Sequence, residues 1–241
     1  MMKEKFIKYL LLITLLIQAI LLGYLNVYFY LNDKAESYAD IKISGNSLLS
    51  EEQYISLINF EEIKDKNSLN YVKTKIESHP YVLKADVQLD SENVLNVSIE
   101  EKQFYSIIIK DYESYFITTD FELVKIIPFT KSISLPLIVT NEAPNSSIIK
   151  NEEITTAFKV IDALKELNKE LSDRLTEINV SDKKKMILLF KNINAPIIMN
   201  KSNLVKELVS LNELMNSYNS IFNDNSIRYI DLRFNNQIII G

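Results

Sequence analysis

Four adjacent acidic pairs, one histidine and one run of three lysines are the residues whose types could do chemistry in this chain. Paired carboxylates can share acid and base roles when they converge on one substrate. The pairs are Glu51-Glu52, Glu61-Glu62, Glu100-Glu101 and Glu152-Glu153. Immediate neighbours point apart on a helix or strand, so none of these pairs converges. They fit solvated loops and helix N-termini, which favour negative charge. His79 is the one histidine, and it could titrate near neutral pH. It stands alone before Pro80, without the convergent partners a site needs, and is expected at a surface position on a helix end. Lys183-Lys184-Lys185 could meet an acidic partner or lipid headgroups. Three charges fall short of the longer clusters that mark such sites, and a solvated turn is expected.

Composition narrows the chemistry further. The 241 residues carry a formal charge of −5, no cysteine and three glycines. Nucleic-acid binders leave a basic footprint, which this balance opposes. A disulfide framework or thiolate site needs cysteine. Glycine-rich phosphate loops are effectively excluded. With one histidine, a Ser-His-Asp triad or ordinary zinc site has little to draw on. No catalytic residue, cofactor, metal site, nucleic-acid partner or small-molecule substrate is expected.

The elements are set out along the chain from an apolar start. The 23-residue run from Tyr9 to Leu31 holds no charge. As a helix it would cover roughly 34 Å, enough for a hydrocarbon core of about 30 Å. Tyr24, Tyr28, Phe29 and Tyr30 crowd its end, as an interfacial aromatic belt does. A cleavable signal peptide has a shorter apolar region and a small-x-small site. An uncleaved transmembrane helix over 9–31 is therefore expected, after a tail at 1–8 and before a linker at 32–39. Lys3, Lys5 and Lys8 precede the run, which places the N-terminus in the cytoplasm by the positive-inside rule. The bulk would then be extracytoplasmic, in the single-pass type II sense.

Residues 40–102 read as a small α+β unit. Ile41–Ser44 is a short strand stopped by Gly45-Asn46. Ser50 and Gln53 fit a capping box for a helix ending near Phe60. A second helix begins at Asn67 or Ser68, with Leu69, Val72 and Ile76 on one face, and stops at His79-Pro80. Ala85, Val87 and Leu89 then alternate with polar residues, as do Leu95, Val97 and Ile99 after a loop at Asp90–Asn93. The order is β-α-α-β-β. The string IKISGN, two helices, HPYVLKADVQLD and NVLNVSIEEK resembles a POTRA domain. One such domain directly after one membrane anchor resembles the FtsQ/DivIB family of bacterial cell-division proteins. Ile43–Asn46 matches that family's opening strand and turn, and Pro80–Val82 with Ala85–Val87 its second strand. Asp65-Lys66 and Glu101–Phe104 depart from the family pattern.

Residues 103–241 read as a β-rich domain with two amphipathic helices. Strands are expected near 105–110, 114–119, 121–127, 176–180, 185–190 and 195–199, with Leu135–Ile138 after a loop. One helix is expected from Glu152 to Leu175, capped by Asn151, and another from Asn203 to Phe222. The chain closes on IRYIDLRFNNQIIIG. Ile230, Leu232 and Phe234 alternate with polar residues, and Asn235-Asn236 suits a tight turn into Gln237–Ile240. Leu135–Ile138 and the closing stretch resemble the β domain of the same family.

The resemblance implies a non-enzymatic divisome scaffold in the cell membrane at the division septum. It would bind FtsB-like and FtsL-like bitopic division proteins and help assemble or regulate septal wall synthesis. A POTRA-bearing secretion or envelope-assembly binding module is the alternative. The last strand is either internal, paired on both sides, or an open edge for strand addition. In the resembling family the last strands receive the FtsB-like partner. That makes Tyr229, Leu232, Phe234, Asn236, Gln237, Ile238, Ile239 and Ile240 the candidate partner-binding residues.

Overall fold

A computed structural model describes residues 14–27, 40–60, 63, 68–141, 147–217, 226–234 and 237–241. Residues 14–27 form a helix, α1. At about 1.5 Å per residue it covers roughly 21 Å, short of a hydrocarbon core of about 30 Å. Among the described residues no helix is long and apolar enough to cross a membrane. This corrects the transmembrane helix expected over 9–31, and with it the single-pass inner-membrane placement. The remainder of that run, 9–13 and 28–31, lies outside the described residues, as do the tail at 1–8 and the linker at 32–39.

The chain divides into two compact units, one of residues up to 46 with 50–100, the other of 47–49 with 101–241. In the first, β1 (Asp40–Ser44), α2 (Glu51–Ile55), α3 (Ser68–Glu77), β2 (Val82–Leu89) and β3 (Val94–Glu101) follow in order. Three strands form a sheet of order β1-β3-β2. β1 runs parallel to β3, with Ile41 opposite Leu95 and Ile43 opposite Val97. Tyr54, Val72, Ile76, Tyr81, Ala85 and Leu95 fill its core. The capping box is present: Ser50 Oγ accepts from the Gln53 N–H, and Gln53 Oε1 accepts from the Ser50 N–H at 2.8 Å. α2 stops at Ile55 rather than near Phe60 because Ser56 turns its hydroxyl back onto the Gln53 carbonyl. A serine oxygen competing for backbone partners is a common way to end a helix. Of the connector, only Ile63 is described.

His79 is not at the surface. It is 9% exposed, edge-on to both Tyr54 and Tyr81, and its Nδ1 accepts from the Tyr81 N–H at 3.2 Å. A ring nitrogen that satisfies a buried amide explains a histidine before proline without any catalytic role.

The second unit is a nine-stranded mixed sheet of order β12-β11-β10-β9-β8-β7-β4-β5-β6. Its strands are β4 (Phe104–Lys110), β5 (Glu113–Thr118), β6 (Leu123–Lys125), β7 (Leu137–Val139), β8 (Leu175–Asn179), β9 (Lys185–Phe190), β10 (Ile197–Asn200), β11 (Ile230–Asp231) and β12 (Ile239–Ile240). Besides the parallel pair of β4 with β7, whose connection runs through β5 and β6, two parallel pairs, β7 with β8 and β10 with β11, need crossovers. Helices supply them: α4 (Glu152–Leu167) and α5 (Lys169–Arg174) for the first, α6 (Leu204–Ser217) for the second. Ile154, Phe158, Ile161 and Leu164 of α4, with Leu208 and Leu211 of α6, bury against Ile108, Ile138, Ile178, Leu188, Ile197 and Ile230. Within this core Ser106 Oγ finds no partner among the described residues.

The helix expected from Glu152 to Leu175 is two helices. Asn168, at φ −159° and ψ 101°, ends α4 and caps α5. Its Oδ1 accepts from the Leu171 N–H at 3.0 Å and its Nδ2 donates to Asn212 Oδ1 of α6 at 2.8 Å. Asparagine offers the backbone an alternative to the helix, and here that alternative wins. α6 is described to Ser217, and the rest of the helix expected to Phe222 lies outside the described residues.

Gly45 takes φ +81°, and a Cβ there would meet the Ile99 carbonyl oxygen at 2.1 Å. Gly45→Ala is therefore expected to lower the stability of the first unit by about 1–3 kcal/mol, since both conformation and space oppose a side chain. Chemical denaturation read through near-ultraviolet circular dichroism checks it; an unchanged midpoint would contradict the close approach to Ile99.

Candidate docking edge at the C-terminal strand

The elements that could carry chemistry resolve into structure. Glu51-Glu52 and Glu152-Glu153 occupy the first turns of α2 and α4. Glu101 accepts from the Ser47 and Leu48 amides. Glu61-Glu62 lies outside the described residues. Asp182 caps the turn that holds the three lysines, accepting from the Lys184 and Lys185 amides at 2.8 and 3.1 Å.

The C-terminal edge is built outward from β10. Ile230 is fully buried under α6 and lies opposite Ile197. The Ile230 N–H donates to the Pro196 carbonyl at 3.0 Å, and the Leu232 N–H to the Ile198 carbonyl at 2.9 Å. The intervening residues must then face the other way, because backbone groups alternate along a strand. They do: Tyr229 and Gly241 exchange bonds of 3.2 and 3.1 Å. β12 pairs antiparallel with β11, Asp231 opposite Ile239 and Ile230 opposite Ile240. Tyr229–Gly241 is a hydrogen-bonded pair, so Ile230–Ile240 is a non-bonded one. The N–H and C=O of Ile240, and by the same alternation those of Ile238, therefore point away from β11. Among the described residues no strand pairs with that outer side.

The opposite end of the sheet differs. The Leu123 N–H of β6 donates to the Ser147 carbonyl at 2.7 Å, and Glu122 bridges Ile148. One end is thus partly covered and the other is open. Ile238, Ile239 and Ile240 are 36%, 37% and 41% exposed on the open side. Open apolar edges are normally blocked, so an unblocked one marks a place where another strand can pair.

The candidate residues separate by position. Tyr229 is partly exposed and its backbone holds Gly241. Leu232 is 4% exposed and belongs to the core, and it also lines the cavity beside β12. Phe234, Gln237 and Ile238 line a cavity of about 420 Å³ between α6 and the segment leading to β12. Ile239 and Ile240 form β12. Asn236, with Asn235, lies outside the described residues. The hairpin ladder is two residues per strand, shorter than the expected run to Phe234.

Two features were not anticipated. Arg233 clips Asp231: Nε meets Oδ1 at 2.9 Å and Nη2 meets Oδ2 at 2.6 Å. Residues two apart on a strand share a face, which is the signal that would have found the clip. The Arg233 guanidinium holds the Asp231 carboxyl below the usual carboxylate range. Glu207 of α6 is 4% exposed, and its Oε2 accepts from the Asn200 N–H at 2.6 Å. Burial pushes its carboxyl above the usual range, and the nearby Asp231 charge adds to the rise.

These features belong to an α+β protein whose nine-stranded mixed sheet ends in an apolar strand with no strand on its outer side among the described residues. Comparison with protein-family models gives no match, and comparison with curated proteins gives no significant one.

The two carboxylates should respond to pH in opposite directions. The lowered pKa of Asp231 means its stabilisation is present above the unfolded value near about 3.9 and is lost as pH falls through the folded value. Asp231→Asn should cost about 1–3 kcal/mol at pH 7, a deficit that closes towards pH 3. Glu207 is raised, so its contribution is full below the unfolded value near about 4.3 and declines as pH rises through the folded value. Glu207→Gln should therefore gain on the unsubstituted protein between pH 4 and pH 7. Thermal unfolding from about pH 3 to pH 7 tests both, and parallel profiles for the two variants would be inconsistent with these assignments.

Proposed function

We propose that this chain is a non-enzymatic interaction protein of the FtsQ/DivIB kind, acting in bacterial cell division. The observation that carries the reading is the outward-facing backbone of Ile238 and Ile240 on an exposed strand at one end of a large sheet. A partner strand could take up those hydrogen bonds while its alternate side chains sit beside Ile238 and Ile240. The partners that the resemblance implies are FtsB-like and FtsL-like division proteins. Binding them would help assemble or regulate septal wall synthesis. The β-α-α-β-β order of the first unit supports a POTRA-like module in the same chain.

Proline is the sharpest probe, because it removes one backbone donor. Placed at Ile240 it removes an outward N–H and leaves the β11 ladder intact. Placed at Ile239 it breaks the internal pair with Asp231. Ile240→Pro should abolish co-purification of the FtsB-like partner from dividing cells while the protein keeps its circular dichroism. In the same cells a fluorescent fusion should gather at midcell, and depletion should give filaments or chains. Uniform staining with normal division would remove the division role. Partner capture that survives Ile240→Pro would remove the edge as the dock.

A further inference from the structure

The cavity beside β12 has a chemistry of its own. It lies on the same face of the sheet as α6, because Ile230 of that face is buried under α6 and Ile240 stands opposite Ile230. Ile238 shares the face of Ile240, two residues away on the strand. Side chains of an added strand that project to this face would enter the cavity. Its apolar walls come from Leu214, Leu232, Phe234 and Ile238. Its charged lining is Lys206, Glu207, Glu213 and Arg233.

Those charges are not equally available. Arg233 is committed to Asp231 through two short bonds. Lys206 and Arg233 lie near enough to Glu207 for their charges to act on it. Glu207 Oε2 is used by the Asn200 amide, whereas Oε1 has no hydrogen-bond partner among the described residues. Oε1 keeps access to the cavity that Glu207 lines, so a side chain entering it can supply a donor. Asp231, outside the lining, neutralises Arg233, which leaves Glu207 and Glu213 against Lys206 on the cavity wall. Its apolar walls suit an aliphatic stem and its floor suits a donor-rich tip, the form of a lysine or arginine side chain.

We propose that this cavity is a specificity pocket for one basic side chain of the strand that adds to β12, with Glu207 Oε1 as its acceptor. The inference rests on the docking edge proposed above. A charge-assisted bond formed at a buried carboxylate discriminates strongly against an uncharged isostere and still more against an acidic residue. The pocket would thereby set the register of the incoming strand, because only one of its residues can be the basic one that fits.

The test uses the full chain and synthetic strand peptides of alternating threonine and valine. One central valine is replaced by lysine, norleucine or glutamate, and each position on one face is taken in turn. Fluorescence anisotropy should show the lysine peptide at its best position binding about tenfold more tightly than its norleucine twin. The glutamate peptide should bind more weakly than either. Glu207→Gln should erase the lysine preference while the norleucine peptide binds as before. Ile240→Pro should weaken all three. Equal affinity for lysine and norleucine at every position would overturn the pocket and leave the edge standing. Binding of no peptide at any position would overturn the edge, and the pocket with it. A lysine preference that persists in Glu207→Gln would overturn the assignment of the acceptor.

Discussion

The parallel pairing of β11 with β10 is the constraint on which the C-terminal half of this molecule depends. It is a short pairing, two residues long, between strands separated by a whole helix. A parallel neighbour cannot be reached by a tight turn, so α6 must cross the sheet before β11 can be laid down. The burial of Ile230, Leu208 and Leu211 makes that crossing favourable. Once β11 is fixed, backbone alternation dictates everything beyond it. Ile230 and Leu232 turn inward to β10, Tyr229 and Asp231 turn outward to β12, and the outer groups of β12 are left facing solvent. The Asp231–Arg233 clip sits where the strand leaves the sheet and ties its last turn to a buried carboxylate.

Much of this was legible in the residues. The capping box of α2, the start of α3, the period-two burial of Leu95, Val97 and Ile99, and the extent of β9 all follow from local pattern, because each is settled by a few neighbouring side chains. The terminal hairpin was legible for the same reason. What local pattern could not give was the long-range choice. A helix read straight through Asn168 is reasonable from its apolar spacing alone, and only the bond from Asn168 to Asn212 of α6 shows why the chain breaks there. His79 was expected at the surface because a lone polar ring beside proline usually is; two tyrosines distant in sequence or packed around the turn enclose it instead. The apolar run at the start was read by length, and the described helix over 14–27 is shorter than that length.

The candidate site divides along the same line. Ile238, Ile239 and Ile240 were visible as an apolar strand with nothing polar to blunt it. Leu232 was visible too, but its alternation with Asp231 and Arg233 marks an inward face, and that face belongs to the core. Glu207 was hidden because it occupies a position between Leu204 and Leu208 on a helix face that otherwise reads as apolar. A carboxylate there is informative only when the cavity beside it is known. Asp231 and Glu207 also show how environment separates like groups: one is paired and held ionised, the other is buried beside a single amide and resists ionisation.

The unequal ends of the nine-stranded sheet have a consequence for stoichiometry. At β6 the Ser147–Ile148 segment already takes up part of the edge, so growth from that side is obstructed. At β12 one strand can be added, and the added strand then becomes the new boundary. Under the proposed docking role, such a sheet would offer an extended guest one place per chain. Two copies joined through their own β12 strands would consume that place for each other, so self-association and partner capture would be mutually exclusive states of the same edge.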